Sequence, residues 1–216
     1  MVIVGVAAQK GGCSKSTIAT NLAVAFVQAG RKVGLIDTDG QASAEKWSYR
    51  RGEHPPLVWT ATHGNLERRL RDMQKVNTDI VFIDTEGSLT QGSQTVVKFS
   101  DYVIIPCQPS IADLESIADS VEMVSNRGKP YSVILTRVPW LTKEGDEAEE
   151  FIRDAGVSVA KCRIGERSAF RKALISGKSV LEYEPSGKAA EDIKCLYTYI
   201  CKELNVPEQD NEKDAA

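Results

Sequence analysis

Lys15 and Ser16 are the residues through which chemistry first enters this sequence. They close the stretch 2–17, VIVGVAAQKGGCSKST. Its apolar run, Val2 to Ala8, gives way to Gln9-Lys10-Gly11-Gly12-Cys13-Ser14, which cannot continue a strand. An apolar-periodic run over 18–29 then reads as a helix. A buried strand, a glycine-bearing loop and a helix make a phosphate-binding junction, because loop and helix N-terminal amides point at the anion and the helix dipole favours negative charge there. In such a junction Lys15 reaches the outer phosphates as a point charge, and the Ser16 hydroxyl ligates Mg²⁺.

The strict P-loop pattern requires glycine one place before the lysine and again five places earlier, where this chain has Ser14 and Gln9. The stretch from Lys10 to Thr17 instead resembles the deviant Walker A loop, K-G-G-x-G-K-[ST]-T, of the ParA/MinD family of partition and positioning ATPases, with one departure at Ser14. The resemblance implies ATP and Mg²⁺ as cofactors. It places Lys10, Gly11, Gly12, Cys13, Ser14, Lys15, Ser16 and Thr17 around the nucleotide. It further implies that Lys10 crosses a homodimer interface to the partner's phosphates when both subunits carry ATP, which would make nucleotide state a dimerisation switch.

Acidic residues close two further apolar runs. The run 32–37 (KVGLID) ends in Asp37-Thr38-Asp39-Gly40-Gln41. Strand periodicity puts Asp37 and Asp39 on one side, facing the phosphate site, with Thr38 pointing away. Paired carboxylates beside a polyphosphate call for a cation between them. DTDGQ resembles the family's D-x-D-P-Q segment, which implies that Asp37 holds the magnesium hydration shell and Asp39 orients the attacking water. The run 79–84 (DIVFID) ends at Asp84 and resembles a Walker B element, with Asp84 bonding a magnesium-bound water. Glu86 departs from the family pattern and adds a charge to the loop that senses the γ-phosphate. A strand over 102–106 runs into Pro106-Cys107-Gln108-Pro109-Ser110 and then Asp113, similar to the family segment beside nucleotide and dimer partner. After the strand 131–136, Arg137 falls where the family contacts the base.

The elements that must position these groups alternate along the chain. Helices are expected over 42–51, 66–76, 93–99, 111–127, 143–155, 168–176 and 187–204, and further strands over 57–60 and 157–162. The strands are continuous apolar runs rather than alternating ones, the mark of a parallel sheet covered on both faces. The expected fold is therefore α/β, a mainly parallel twisted sheet with helices on both faces, P-loop NTPase-like. One domain over 1–205 and a polar, flexible tail over 206–216 complete it. In such sheets ligands bind at the carboxyl ends of the strands, where the loop and the acids converge.

Composition narrows the function. Of 216 residues, 42% are hydrophobic and 26% charged, with a net charge of −3, which argues against a general nucleic-acid coat but leaves room for a local basic patch. No apolar run approaches the ~18–20 residues that span a bilayer, nor is there a signal-peptide pattern, so a cytoplasmic protein is expected. The five cysteines are scattered and form no Cys-x-x-Cys pair, which indicates neither a zinc site nor a disulfide framework. Two histidines, His54 and His63, lie in a polar region, an improbable basis for a Ser–His–Asp hydrolase.

The C-terminal third gathers Lys161, Arg163, Arg167, Arg171, Lys172 and Lys178, with Lys188 and Lys194 beyond. From Arg163 to Val180 it resembles the post-strand loop and helix of short ParA proteins, where basic residues form a non-specific DNA surface. Arg163, Arg167, Arg171, Lys172, Lys178 and Lys194 are the DNA candidates. The alternative is a solvated basic face balanced by Glu182, Glu184, Glu191 and Asp192. The acidic tail PEQDNEKDAA counts against membrane targeting. The resemblance thus implies a Mg²⁺-dependent ATPase, slow and partner-stimulated, that dimerises on ATP, associates with the nucleoid, and partitions a plasmid, chromosome or other cargo with a small ParB-like or adaptor partner. Two alternatives stay open: a nucleotide-gated interaction module with little hydrolysis, and a metabolic or assembly ATPase of the same superfamily.

Overall fold

The computed structural model describes residues 1–88 and 90–208. Seven strands form one sheet: β1 (Val2–Val6), β2 (Val33–Asp37), β3 (Leu57–Thr60), β4 (Ile80–Asp84), β5 (Tyr102–Cys107), β6 (Tyr131–Val138) and β7 (Val159–Gly165), in the order β3-β2-β4-β1-β5-β6-β7. Every pairing is parallel. The helices among the described residues are α1 (Lys15–Gln28), α2 (Ser43–Arg51), α3 (Leu66–Lys75), α4 (Gln91–Phe99), α5 (Ile111–Ser125), α6 (Glu144–Asp154), α7 (Ser168–Ile175), α8 (Val180–Tyr183) and α9 (Lys188–Glu203).

The apolar runs are continuous because successive residues serve opposite faces. In β4, Phe82 packs with Leu22, Phe26 and Leu196 in the core under α1 and α9, whereas Val81 and Ile83 pack with Leu66, Leu70 and Met73 of α3. In β5, Ile104 joins the first core while Val103 and Ile105 meet Ile117 and Val124 of α5. The central strand β1, flanked by β4 and β5, therefore has its carboxyl end buried among neighbours.

Three expectations change. The last strand extends to Gly165 rather than ending at Cys162, so Arg163 is a strand residue. Its charge is met by Glu149 and Asp146 of α6, which lets a cation sit in an edge strand. A one-turn helix, α8, was not expected; Ser179 and Glu182 form a capping box at its start. The expected tail begins too early, since Val206 packs on the core and the Pro207 carbonyl accepts from Arg31. Residues 209–216 of that tail lie outside the described residues.

The segment 177–182 is tied to α2 by an ion pair between buried Arg51 and half-buried Glu182. Arg51 is 8% exposed, forks onto both Glu182 oxygens at 2.7 Å, and donates to the carbonyls of Gly177 and Pro55. Burial alone would raise the Glu182 carboxyl, but hydrogen bonds from Arg51 and the Ser179 amide hold it below the usual carboxylate range. The pair's stabilisation is therefore complete above that range and fades as pH falls through the lowered value. An Arg51→Ala variant should lose about 3 kcal/mol in urea unfolding at neutral pH, with the deficit shrinking in acid.

Candidate active site

The loop after β1 is shaped by where its carbonyls go. The Lys10 carbonyl accepts from Lys15 Nζ at 2.7 Å and from Cys13 Sγ at 3.2 Å. The Gly12 carbonyl accepts from Gln108 Nε2 (3.2 Å) and Arg137 (3.5 Å), and the Cys13 carbonyl accepts from Thr136 Oγ1 (3.2 Å). By contrast, among the described residues, no amide of 11–17 makes a backbone hydrogen bond of normal geometry. Ser14, at the N-cap of α1, offers no side-chain cap, and the first turn of α1 holds no acid. A row of unsatisfied amides at a helix N-terminus is an anion site.

Lys15 is 6% exposed and its ammonium is fixed over the loop, which suits it to a phosphate charge. Cys13 is buried in the core under α5 and its thiol is pushed up by burial, which makes it a filler rather than a nucleophile. Gly12 and Ser14 both have positive φ, 79° and 73°. At Gly12 this is free, but serine pays a steric cost for it of order 1 kcal/mol. Gly87, which the sequence reading did not single out, matters equally. A Cβ there would run into the backbone of Lys10 and Gly11, so only glycine lets the β4 loop lie against the phosphate loop. The two glycine-bearing loops had no common sequence signal.

Asp37 and Asp84 are register partners at the ends of β2 and β4, yet their surroundings differ. The strand breaks after Asp37, whose Oδ1 accepts from the Asp39 amide (3.0 Å) and whose Oδ2 accepts from the Ala44 and Glu45 amides (2.9 and 3.0 Å). Asp37 thus lies buried beneath the turn as a cap for α2, and does not face the site side by side with Asp39. Burial raises its carboxyl, and the three amides oppose that. Asp39 lines the cleft, with one oxygen accepting from the Gln41 amide. Thr38 turns back to the Asp84 carbonyl at 2.8 Å.

Asp84 is fully buried and, among the described residues, neither of its oxygens has a hydrogen-bond partner of normal geometry, although the Ser16 hydroxyl stands beside it. Burial, with Asp37 nearby, pushes its carboxyl up to about 7, while Ser16 and Lys15 beside it act in the other direction. Two orphaned oxygens next to the Ser16 hydroxyl fit a divalent cation or its bound water. Glu86 accepts from Thr90 Oγ1 at the start of α4.

A cleft of about 570 Å³ is lined by Lys15, Ser16, Asp39 and Gln41 together with Phe170, Arg171 and Leu174 of α7. Arg137 lies on its wall beside Glu166, 3.6 Å away. Phe170 and Leu174 supply an apolar wall that sequence reading missed. Lys10 is partly exposed and 3.8 Å from Asp113, free of the cleft.

The basic candidates divide. Arg163 is engaged by Glu149 and Asp146, and Arg167 forks onto Asp192, at 2.7 and 3.2 Å. Lys194 donates to the Pro185 carbonyl. Arg171, Lys172 and Lys178 are exposed on and after α7. Of the acids expected to balance this face, Asp192 meets Arg167 and Glu191 meets Lys188, whereas Glu182 serves Arg51 and Arg163 is met by Glu149 and Asp146 instead.

A family model described as CobQ/CobB/MinD/ParA nucleotide binding domain matches residues 4–180. The chain is 30% identical over 207 residues to the maintenance of carboxysome distribution protein A of Gloeobacter kilaueensis, covering 94% of each chain. It is 24% identical to Protein ParA of Rhizobium radiobacter, covering 79% of this chain and 81% of that one. Among solved structures, an ATP complex of McdA from Cyanothece superposes with a TM-score of 0.78 at 17% identity, over 96% of this chain and 97% of that one.

Three variants probe the strain in this site. In metal- and nucleotide-free protein, the raised Asp84 value means that the folded state holds its proton longer than the unfolded chain. Stability should then fall as pH climbs from about 4 to 7. Asp84→Asn should abolish that slope and unfold about 2–4 kcal/mol later at pH 8, while weakening Mg²⁺-nucleotide binding at least tenfold. Ser14→Gly should raise the thermal midpoint by about 2 °C, and Ser14→Ala should not.

Proposed function

The chain belongs to the CobQ/CobB/MinD/ParA nucleotide-binding family, and on that premise we propose that it is a Mg²⁺-dependent ATPase of the cargo-positioning kind. The observation that carries the proposal is the loop of free amides at 11–17 set above the orphaned Asp84 carboxylate. Amides and Lys15 hold the phosphates, Ser16 and Asp84 hold Mg²⁺ and its water, and Asp37 acts by fixing the turn that carries Asp39. Asp39 is the only acid of this group that both lines the cleft and keeps an uncommitted oxygen, so it orients the attacking water. Bound magnesium supplies charge neutralisation of the phosphate oxygens.

Lys10 supports a two-subunit cycle. It does not line its own cleft and, among the described residues, has only a long contact to Asp113, so its charge is available to a second, ATP-loaded copy. Arg171, Lys172 and Lys178 form the DNA-facing set, since their charge is not consumed by carboxylates among the described residues, whereas Arg163 and Arg167 serve the fold. Such contacts give affinity without sequence readout and a steep salt dependence. The cargo, protein-bodied or DNA, is linked through a separate stimulating partner, and the family likeness to a carboxysome distribution protein and to a ParA favours this class over a metabolic ATPase.

Lys15→Ala should remove nucleotide binding and hydrolysis together. Lys10→Ala should bind MgATP within threefold of the parent yet sediment as a monomer where the parent dimerises. DNA retention should require ATP and drop at least tenfold in Lys172→Glu with Lys178→Glu. Retention that is indifferent to nucleotide would overturn the positioning cycle.

A further inference from the structure

Asn21 is a polar residue in the buried middle of α1, 5% exposed among Ile18, Leu22, Ala23 and Val24. Its amide is almost fully used. Nδ2 donates to the Thr17 carbonyl at 2.8 Å, within the first turn of α1. Oδ1 accepts from the Ser179 hydroxyl at 2.8 Å and the Val180 amide at 2.9 Å. One side chain therefore joins the phosphate-loop end of α1 to a segment 158 residues further along the chain.

That same segment is gripped from α2. The Trp47 Nε1 donates to the Lys178 carbonyl at 3.2 Å, Arg51 reaches the Gly177 carbonyl and Glu182, and a Cβ on Gly177 would strike the Arg50 and Arg51 backbone. α2 in turn has its N-terminus fixed by Asp37, and Ser43 lines the cleft as Thr17 does. Both helices that border the phosphates thus converge on residues 177–181. Ser179 is completely buried, its neighbours Gly177, Val180 and Leu181 are buried, and Lys178 is the one exposed side chain of the five.

We propose that Asn21 is a positioning residue that ties the placement of Lys178 to occupancy of the phosphate loop, so that nucleotide binding sets the geometry of a DNA-phosphate contact. This rests on the function proposed above. A buried amide is suited to it, because it has only one arrangement that satisfies its partners on both elements, and any shift of the first turn of α1 must either carry Ser179 along or break hydrogen bonds out of reach of water. Two elements that share such a link are biased together by a ligand that touches one of them.

Hydrogen exchange read by mass spectrometry on the full chain, with and without Mg²⁺ and a non-hydrolysable ATP analogue, tests this. In the parent the analogue should slow exchange over residues 11–17 and change it at least threefold over 177–184. In Asn21→Ala the effect over 11–17 should persist while the nucleotide-dependent change over 177–184 disappears. A merely structural role would speed exchange equally in both states and leave the difference intact, and that result overturns the proposal. Should Asn21→Ala not fold, Ser179→Ala, which leaves α1 unchanged, should give the same loss. A parent that shows protection over 11–17 but none over 177–184 refutes the link alone. One that shows neither refutes the nucleotide reading and the link with it.

Discussion

Free backbone amides are costly in a folded protein unless something answers them, and the stretch 11–17 keeps its amides free. It can do so because three carbonyls of the loop are claimed by side chains. Gln108 and Arg137 take Gly12, Thr136 takes Cys13, and Lys15 folds back onto Lys10. These donors come from the ends of β5 and β6 and from α1, so the shape of the loop is a consequence of the sheet order that places β1 beside β5. Gly87 closes the arrangement from the β4 side. The sheet, in other words, holds a ring of donors open for an anion.

Charge follows the same logic. Two carboxylates sit side by side at the ends of β2 and β4, and the backbone satisfies one and abandons the other. Asp37 has three amides and builds a turn and a helix start. Asp84 has none, and its burial leaves it poised near neutrality. An unanswered buried acid next to unanswered amides is a fold that is less stable empty than full. Ser14, held at a positive φ, adds to that. The site's instability and its chemistry have one source.

Much of this was legible in the sequence, for stated reasons. The strands 33–37, 80–84 and 102–107 are buried on both faces, so their apolar runs are unbroken. The loop-to-helix junction is marked by glycines and Lys15-Ser16. What was not legible depended on distant partners. Arg163 looks like the end of a strand because nothing nearby announces Glu149 and Asp146, and Arg167 looks free because Asp192 is 25 residues on. Asp37 and Asp39 alternate correctly for a strand, but the strand stops between them and the pairing is lost to a turn. The capping box of α8, Ser179 and Glu182, was present as a local pattern in a segment read only for its charge.

The central claim is that the amides of residues 11–17 are the phosphate receptor. Amide resonances of ¹⁵N-labelled protein, followed while MgATP is added, address it most directly. The account predicts that Gly11, Gly12, Ser14, Lys15 and Ser16 shift first and furthest, downfield as they gain an anionic acceptor. Binding of MgATP that leaves those amides in place and moves another part of the surface would contradict it.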